Sequence, residues 1–234
     1  MKNLFLSLLA LLAIIGCDTK TTTLANKTKS SKYAGKPYRD TVKALSEQKI
    51  PGKLECEFYD VGGEGVAYHD VDNKNSGSGD LNKGAGYYAQ FRKDEAVDIS
   101  FTKYHDSIDN SIYNIVQPKI DQLYLGWTES GEWIAYTVDV LETGNYKIGA
   151  MYTSNRGGSV RFVVENADAT ALMEIPSTFN EKEPIAWRNW HHWNYVDSLA
   201  VIHLKKGKRI LKLEIAKQGN FNFDYFNFVK VKGK

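Results

Sequence analysis

Two groups of residues in this chain have types and spacings that suggest chemistry. Three tryptophans, Trp187, Trp190 and Trp193, fall inside seven residues, and Trp127 stands between Gly126 and the polar run Thr128-Glu129-Ser130-Gly131. A flat ring on a loop is a platform for a ligand with an apolar face and a polar rim. The neighbours of Trp127 and Trp190 place both on loops. Trp193 opens a strand-like stretch and serves equally well as core, Trp133 reads as core, and Trp187 fits either role. The second group is Glu55 and Glu57, which flank Cys56. At i and i+2 of a strand the two carboxylates leave one face while Cys56 points the other way, into the core. Acids so placed repel unless something positive sits between them; otherwise they are solvated edge carboxylates. His191 and His192 are adjacent, so on a strand they point to opposite faces and make a poor metal pair.

The elements that must carry these residues read as strands. Glu132–Val140 alternates with Ile134, Tyr136, Val138 and Val140 on one face; Tyr146, Ile148, Ala150 and Tyr152 share a face of the next run, and Val160, Phe162 and Val164 of the one after. Val196–Leu204, Arg209–Ala216 and Phe221–Val231 complete the set, with turns at Glu142–Asn145, Asn155–Gly158 and Lys205–Lys208. Many short alternating strands with regular turns predict an all-β sandwich. Thr41 to Gln48 fits one or two helical turns, and Ile50-Pro51-Gly52 breaks the chain before the first expected strand.

The remaining stretches set the organisation. After Lys2, an apolar run from Leu4 to Ile15 is too short to span a bilayer, which takes about 20 residues, and suits the core of a secretory signal. Its ending, Ile14-Ile15-Gly16-Cys17, resembles the lipobox of bacterial lipoproteins, which implies lipidation of Cys17. Residues 1–16 are then a signal peptide, 17–48 the lipidated cysteine and a flexible tether rich in Thr, Lys and Ser, and 49–234 the folded module. Such a protein is expected on a bacterial membrane, outer membrane above all, facing the cell surface or the periplasm. With Cys17 lipidated, Cys56 has no partner for an intrachain disulfide. The formal charge is +2 and no Lys/Arg stripe is confined to one element, which argues against nucleic acid as a partner.

Read in order, IPGKLECEFYD (50–60), GGEGVAYHDVD (62–72), FRKDEAVDIS (91–100), YLGWTESGEWIAYTVDV (124–140), WRNWHHW (187–193) and GNFNFDYFNF (219–228) resemble the family 6 carbohydrate-binding modules. The resemblance runs from about Ile50 to Val231. It implies a β-sandwich of jelly-roll, galactose-binding-domain-like form with a structural calcium. The calcium ligands map onto Glu55, Glu57 and Asp224, helped by a backbone carbonyl near Phe91–Lys93. Ca²⁺ takes roughly six to eight oxygens at about 2.3–2.6 Å, which suits such a set. The family's loop-end cleft holds a sugar between two aromatics, which match Trp127 and Trp190 or Trp193, with an Asn on the hydroxyls, which matches Asn222; Asn222 capping a turn is the plainer reading. His69 or Asp70, in GVAYHD, reaches the rim. The implied ligand is a polysaccharide or oligosaccharide, and the implied partners are glycan-degrading enzymes of the same cell. One departure is the segment Phe101–Leu123, longer than the family's usual loop and placed to reshape or cover the cleft.

Catalysis is not expected. Glu64, Glu129 and Glu132 invite a glycosidase reading, since two carboxylates about 5–9.5 Å apart can run hydrolysis, but nothing in the sequence pairs them. No G-x-S-x-G, P-loop, H-E-x-x-H or C-x-x-C motif is present. The alternatives are a hydrolytic or hydrolase-associated protein and a structural or protein-interaction sandwich that has lost the cleft.

Overall fold

The computed structural model describes residues 32–43, 47–104, 108–165 and 169–232. The signal segment, Cys17 and the tether up to residue 31 lie outside the described residues. The compact unit runs Tyr33–Lys234.

Two six-stranded sheets make the body. The first is ordered β1 (Gln48–Ile50), β6 (Trp133–Val140), β11 (Gly207–Gln218), β8 (Gly158–Val164) and β9 (Met173–Ile175), with β3 (Tyr68–His69) also on β6. The second is ordered β10 (Asn194–Leu204), β7 (Gly144–Ser154), β12 (Phe221–Lys230), β5 (Leu123–Leu125) and β4 (Ile99–Phe101), with β2 (Gly52–Glu55) on β12. One short helix, α1 (Tyr87–Gln90), lies against β4. Except for the parallel pair β1·β6, the strand pairs are antiparallel.

The alternating faces expected from the sequence are the buried ones. Ile134, Tyr136, Val138 and Val140, then Tyr146, Ile148, Ala150 and Tyr152, then Val160, Phe162 and Val164 all enter one apolar core. Phe162 of the first sheet meets Phe226 and Phe228 of the second at ring-centroid distances of 4.9 and 5.5 Å, which makes the pair of sheets a sandwich. Cys56 is fully buried in the same core, as its pleat position implied. Trp133, read as core, is instead half-buried, with the Lys212 ammonium 5.0 Å over its ring.

Two local departures matter for the site. β12 carries a bulge: Phe223 pairs with Tyr152 and Tyr225 with Met151, leaving Asp224 as the extra residue. The bulge shifts the inward positions from Phe221 and Phe223 to Phe226 and Phe228 and re-aims Asp224. At the other end of the sequence, the folded body begins earlier than residue 49. Tyr33 donates to Asp60 at 2.8 Å, Lys36 and Val61 exchange main-chain hydrogen bonds, and Tyr38 stacks on Phe58 at 5.8 Å. Of the expected helical stretch, residues 41–43 form a turn, 44–46 lie outside the described residues, and Gln48 begins β1, so the Ile50-Pro51-Gly52 break separates β1 from β2 and follows the first strand.

Candidate carbohydrate site

The turn after β5 presents Trp127, and three contacts hold it. Thr128 exchanges bonds with Phe221 on the neighbouring strand, its N–H donating to the Phe221 carbonyl at 3.3 Å and its Oγ1 accepting from the Phe221 N–H at 3.2 Å. Gly219, at φ +124°, lies so close that a Cβ there would stand 2.5 Å from the Thr128 carbonyl oxygen. The Trp127 ring passes over Gly77, where a Cβ would come within 3.2 Å of it. Trp127 itself adopts φ +45°, a left-handed conformation that costs a bulky residue energy and persists only where its surroundings enforce it.

The enforcing group is Asn222. Its Oδ1 accepts the Trp127 N–H at 3.1 Å, while Nδ2 donates to Thr153 Oγ1 at 2.8 Å and to His191 Nδ1 at 3.0 Å. Because Nδ1 of His191 accepts, Nε2 carries the proton, and it donates to Asp109 Oδ1 at 2.8 Å. Asp109, fully buried, also accepts from Trp193 Nε1 at 2.8 Å and from the Lys103 N–H at 2.6 Å. One buried network thus joins the Trp127 turn, β7, β12, the Trp-rich segment and the long segment after β4.

This network sorts the expected sugar contacts. Trp190 is half-buried beside His191, at 5.7 Å between ring centroids, so Trp127 and Trp190 flank one hydrogen-bonded chain. Trp193 is 0% exposed and packs edge-on against Tyr124, so it is a core residue with no face for a sugar. Asn222 is 1% exposed with both ends of its amide engaged, so it positions Trp127 and has no atom open to a ligand. His69 lies on β3 and meets Glu64 at 2.6 Å; among the described residues no hydrogen bond or ring contact joins it to Trp127, Trp190 or Asn222. Trp187, undecided in the sequence, is 56% exposed, and Phe179, which no motif singled out, is 53% exposed nearby in sequence.

The long segment clasps this loop. Tyr113 donates to the Lys182 carbonyl at 2.9 Å, Ile115 N–H to the Trp193 carbonyl at 2.8 Å, and Ser111 to Glu183 Oε2 at 3.2 Å. Glu183, buried, also takes Arg188 at 3.0 Å, which holds its carboxyl below the usual range despite burial. The segment therefore forms a wall behind the Trp-rich loop.

An acidic group borders the Trp127 turn. Burial first, then mutual repulsion, pushes Asp70 up to about 6, Asp98 to about 7 and Glu132 to about 8. Glu132 accepts the Glu129 N–H at 2.7 Å and Asp98 takes the Ser76 N–H at 2.5 Å, so both carboxylates close loops.

The second acidic group is Glu55, Glu57 and Asp224. The strand expected to carry both glutamates ends at Glu55, and burial raises all three carboxyls, Glu55 among them. Burial and then Glu55 and Asp224 push Glu57 far above the ordinary range; burial and then Glu55 push Asp224 up to about 8. Glu57 Oε2 and Asp224 Oδ2 are buried without a hydrogen-bond partner. Among the described residues no three His, Cys, Asp or Glu side chains form a closed ligand set. Buried, partnerless, mutually repelling carboxylate oxygens fit a hard cation, which would draw them together and take further oxygens from backbone or amide groups.

Residues 101–230 match the family model described as carbohydrate binding module (family 6). The chain belongs to this family. The module thus binds carbohydrate and is non-catalytic by itself. Among solved structures, it is similar to a glycoside hydrolase family 43 arabinoxylan arabinofuranohydrolase from Bacillus subtilis in complex with cellotetraose, at TM-score 0.48 and 13% identity over 80% of this chain and 28% of that one. The chain thus spans 28% of that enzyme's length. It is also similar to CsCBM6-3 from Clostridium stercorarium in complex with cellobiose, at TM-score 0.46 and 12% identity over 80% of this chain and 98% of that one. A family 6 module studied for its binding subsites gives TM-score 0.46, 12% identity and coverages of 79% and 98%. No curated protein matches.

Proposed function

We propose that the module captures polysaccharide or oligosaccharide at the loop end of the sandwich, with Trp127 and Trp190 as stacking rings and Trp187 as an outer platform. The observation that carries this reading is the Asn222–His191–Asp109 chain, which bonds the Trp127 turn directly and carries, at His191, the ring that Trp190 meets at 5.7 Å. Preorganised rings bind a sugar's C–H face with little ordering cost. Hydrolysis is not part of the reading: the Glu132 carboxylate is buried and engaged with the Glu129 backbone.

Calcium bound by Glu55, Glu57 and Asp224 would neutralise their repulsion and lock β2 to β12, where the Cys56 N–H already donates to the Asp224 carbonyl at 2.9 Å. A lipid on Cys17, carried by a tether ending near Tyr33, would hold the module at a bacterial membrane, supplying captured glycan to degrading enzymes of the same cell.

Isothermal titration against cello-oligosaccharides, xylan, β-glucans and agar-type oligosaccharides tests the site. Heat of binding that is lost in Trp127→Ala and Trp190→Ala is expected. Binding untouched by both substitutions would overturn it.

A further inference from the structure

Within the Glu55, Glu57 and Asp224 group, one carboxylate oxygen has a side-chain partner from outside β2 and β12. Gln122 donates its Nε2–H to Asp224 Oδ1, 102 residues away in sequence, while Asp224 Oδ2 and Glu57 Oε2 are buried without a partner. Gln122 closes the long segment after β4 and leads into β5. Its main chain is fixed there: the N–H donates to Thr102 Oγ1 at 3.0 Å, and the carbonyl accepts the Thr102 N–H at 2.9 Å. Just before it, Asp121 turns the chain at φ +56°, a left-handed conformation that Asp tolerates better than most residues. The other end of the amide is held weakly, since Oε1 accepts the Lys119 N–H at 3.3 Å, beyond the usual range for such a bond.

Two ammonium groups, on Lys53 and Lys119, lower the carboxyls of Glu55 and Asp224 without satisfying them. The Lys53 ammonium stands 3.5 Å over the Tyr225 ring, and Lys119 is exposed. Among the described residues the acids alone form no closed ligand set. Ca²⁺ takes roughly six to eight oxygens, amide carbonyls among them, so a neighbouring carboxamide has a place on it. A carboxamide carries both functions needed here: its NH₂ donates to a carboxylate and its C=O binds a hard cation. Half a turn about the last side-chain bond exchanges the two.

We propose that Gln122 is a further ligand of the calcium site, its amide turning over so that Oε1 joins the carboxylates on the cation. The proposal rests on the calcium reading above and adds to it a residue of the long segment. Gln122 is half-buried and Lys119 exposed, so water reaches the N–H groups that the turn releases. The cation then ties the end of the long segment to β2 and β12, at the start of the strand beyond whose far end Trp127 lies.

The test uses the full chain, stripped with chelator, then titrated with CaCl₂ by calorimetry and with Tb³⁺ by luminescence. In wild-type protein, calcium should move the Gln122 carboxamide ¹³Cδ and NH₂ resonances and leave those of Gln117, on the same segment, in place. Gln122→Leu should lower calcium affinity roughly ten-fold. It should also admit an extra water to bound Tb³⁺, read from luminescence decay in H₂O and D₂O. Gln122→Glu, which keeps an oxygen at that position, should retain the wild-type water count. A residue that merely orients Asp224 would lower affinity without changing that count. Calcium that binds with the Gln122 resonances unmoved, or an unchanged water count in Gln122→Leu, overturns the proposal and leaves the cation site standing. If Gln122→Leu fails to fold, the wild-type resonances still decide. Wild-type protein that binds neither calcium nor Tb³⁺ overturns the cation site and this ligand together, so the two readings fail on different results.

Discussion

Replacing Asn222 by Ala separates a positioning amide from a ligand-binding one. The substitution strands Thr153 Oγ1 and His191 Nδ1, both buried, and the Trp127 N–H, half-buried. Each buried polar group left unmade costs on the order of 1–3 kcal/mol, and the Trp127 N–H, which water reaches, costs less. A total loss of about 3 kcal/mol follows, and at roughly 2–4 °C per kcal/mol for a domain of this size the melting temperature falls by about 6–12 °C. Sugar affinity falls with it, because Trp127 at φ +45° has lost the bond that holds it there. Thermal unfolding with paired calorimetry reads both quantities, with Trp190→Ala as the contrast: it should weaken binding and move the melting temperature little. An Asn222→Ala protein that melts within about 1 °C of wild type yet no longer binds would refute this reasoning, since the amide would then act on the sugar directly.

Calcium should raise the melting temperature and chelation lower it. At a free concentration of about 100 times Kd the gain is about 2.7 kcal/mol, and Glu57→Gln should erase it; identical melting with calcium and with chelator would count against the cation site. The group Asp70, Asp98 and Glu132 predicts a pH trend of the opposite sign to the usual carboxylate case. Each is raised in the folded state, to about 6, 7 and 8, above unfolded values near 4. The folded protein therefore binds more protons than the unfolded chain between about pH 4 and 8, and stability falls as pH rises through that window. Melting curves from pH 5 to 8 should show the decline, and Glu132→Gln should flatten it; a melting temperature that rises over the window would contradict it.

Much of the fold was legible because burial in a two-layer sandwich imposes a period of two. Ile134 to Val140 and Tyr146 to Tyr152 announce their inward faces residue by residue. The acidic residues Glu55, Glu57 and Asp224 stand out in the sequence by type and order, but their arrangement does not: the pleat argument placed Glu57 on a strand that stops at Glu55, and Asp224 is the extra residue of a bulge. The tail from Tyr33 read as tether because its composition is polar, yet a few aromatic rings are enough to hold it on Phe58 and Asp60.

The sequence by itself determined which strands exist, which faces they bury, and that the chain carries a cluster of aromatic residues suited to sugar. Only the tertiary structure decided which tryptophan is buried and which keeps an exposed face. Trp190 and Trp193 differ by three positions, and the strand-like stretch that Trp193 opens left its role open. Trp193 is taken into the interior by Asp109, 84 residues earlier, and Asn222 is closed to ligand by His191 and Trp127, 31 and 95 residues away. Hydrophobic alternation is a local property of the chain, whereas the pairing of a buried polar atom depends on whatever distant segment the fold brings within three ångströms.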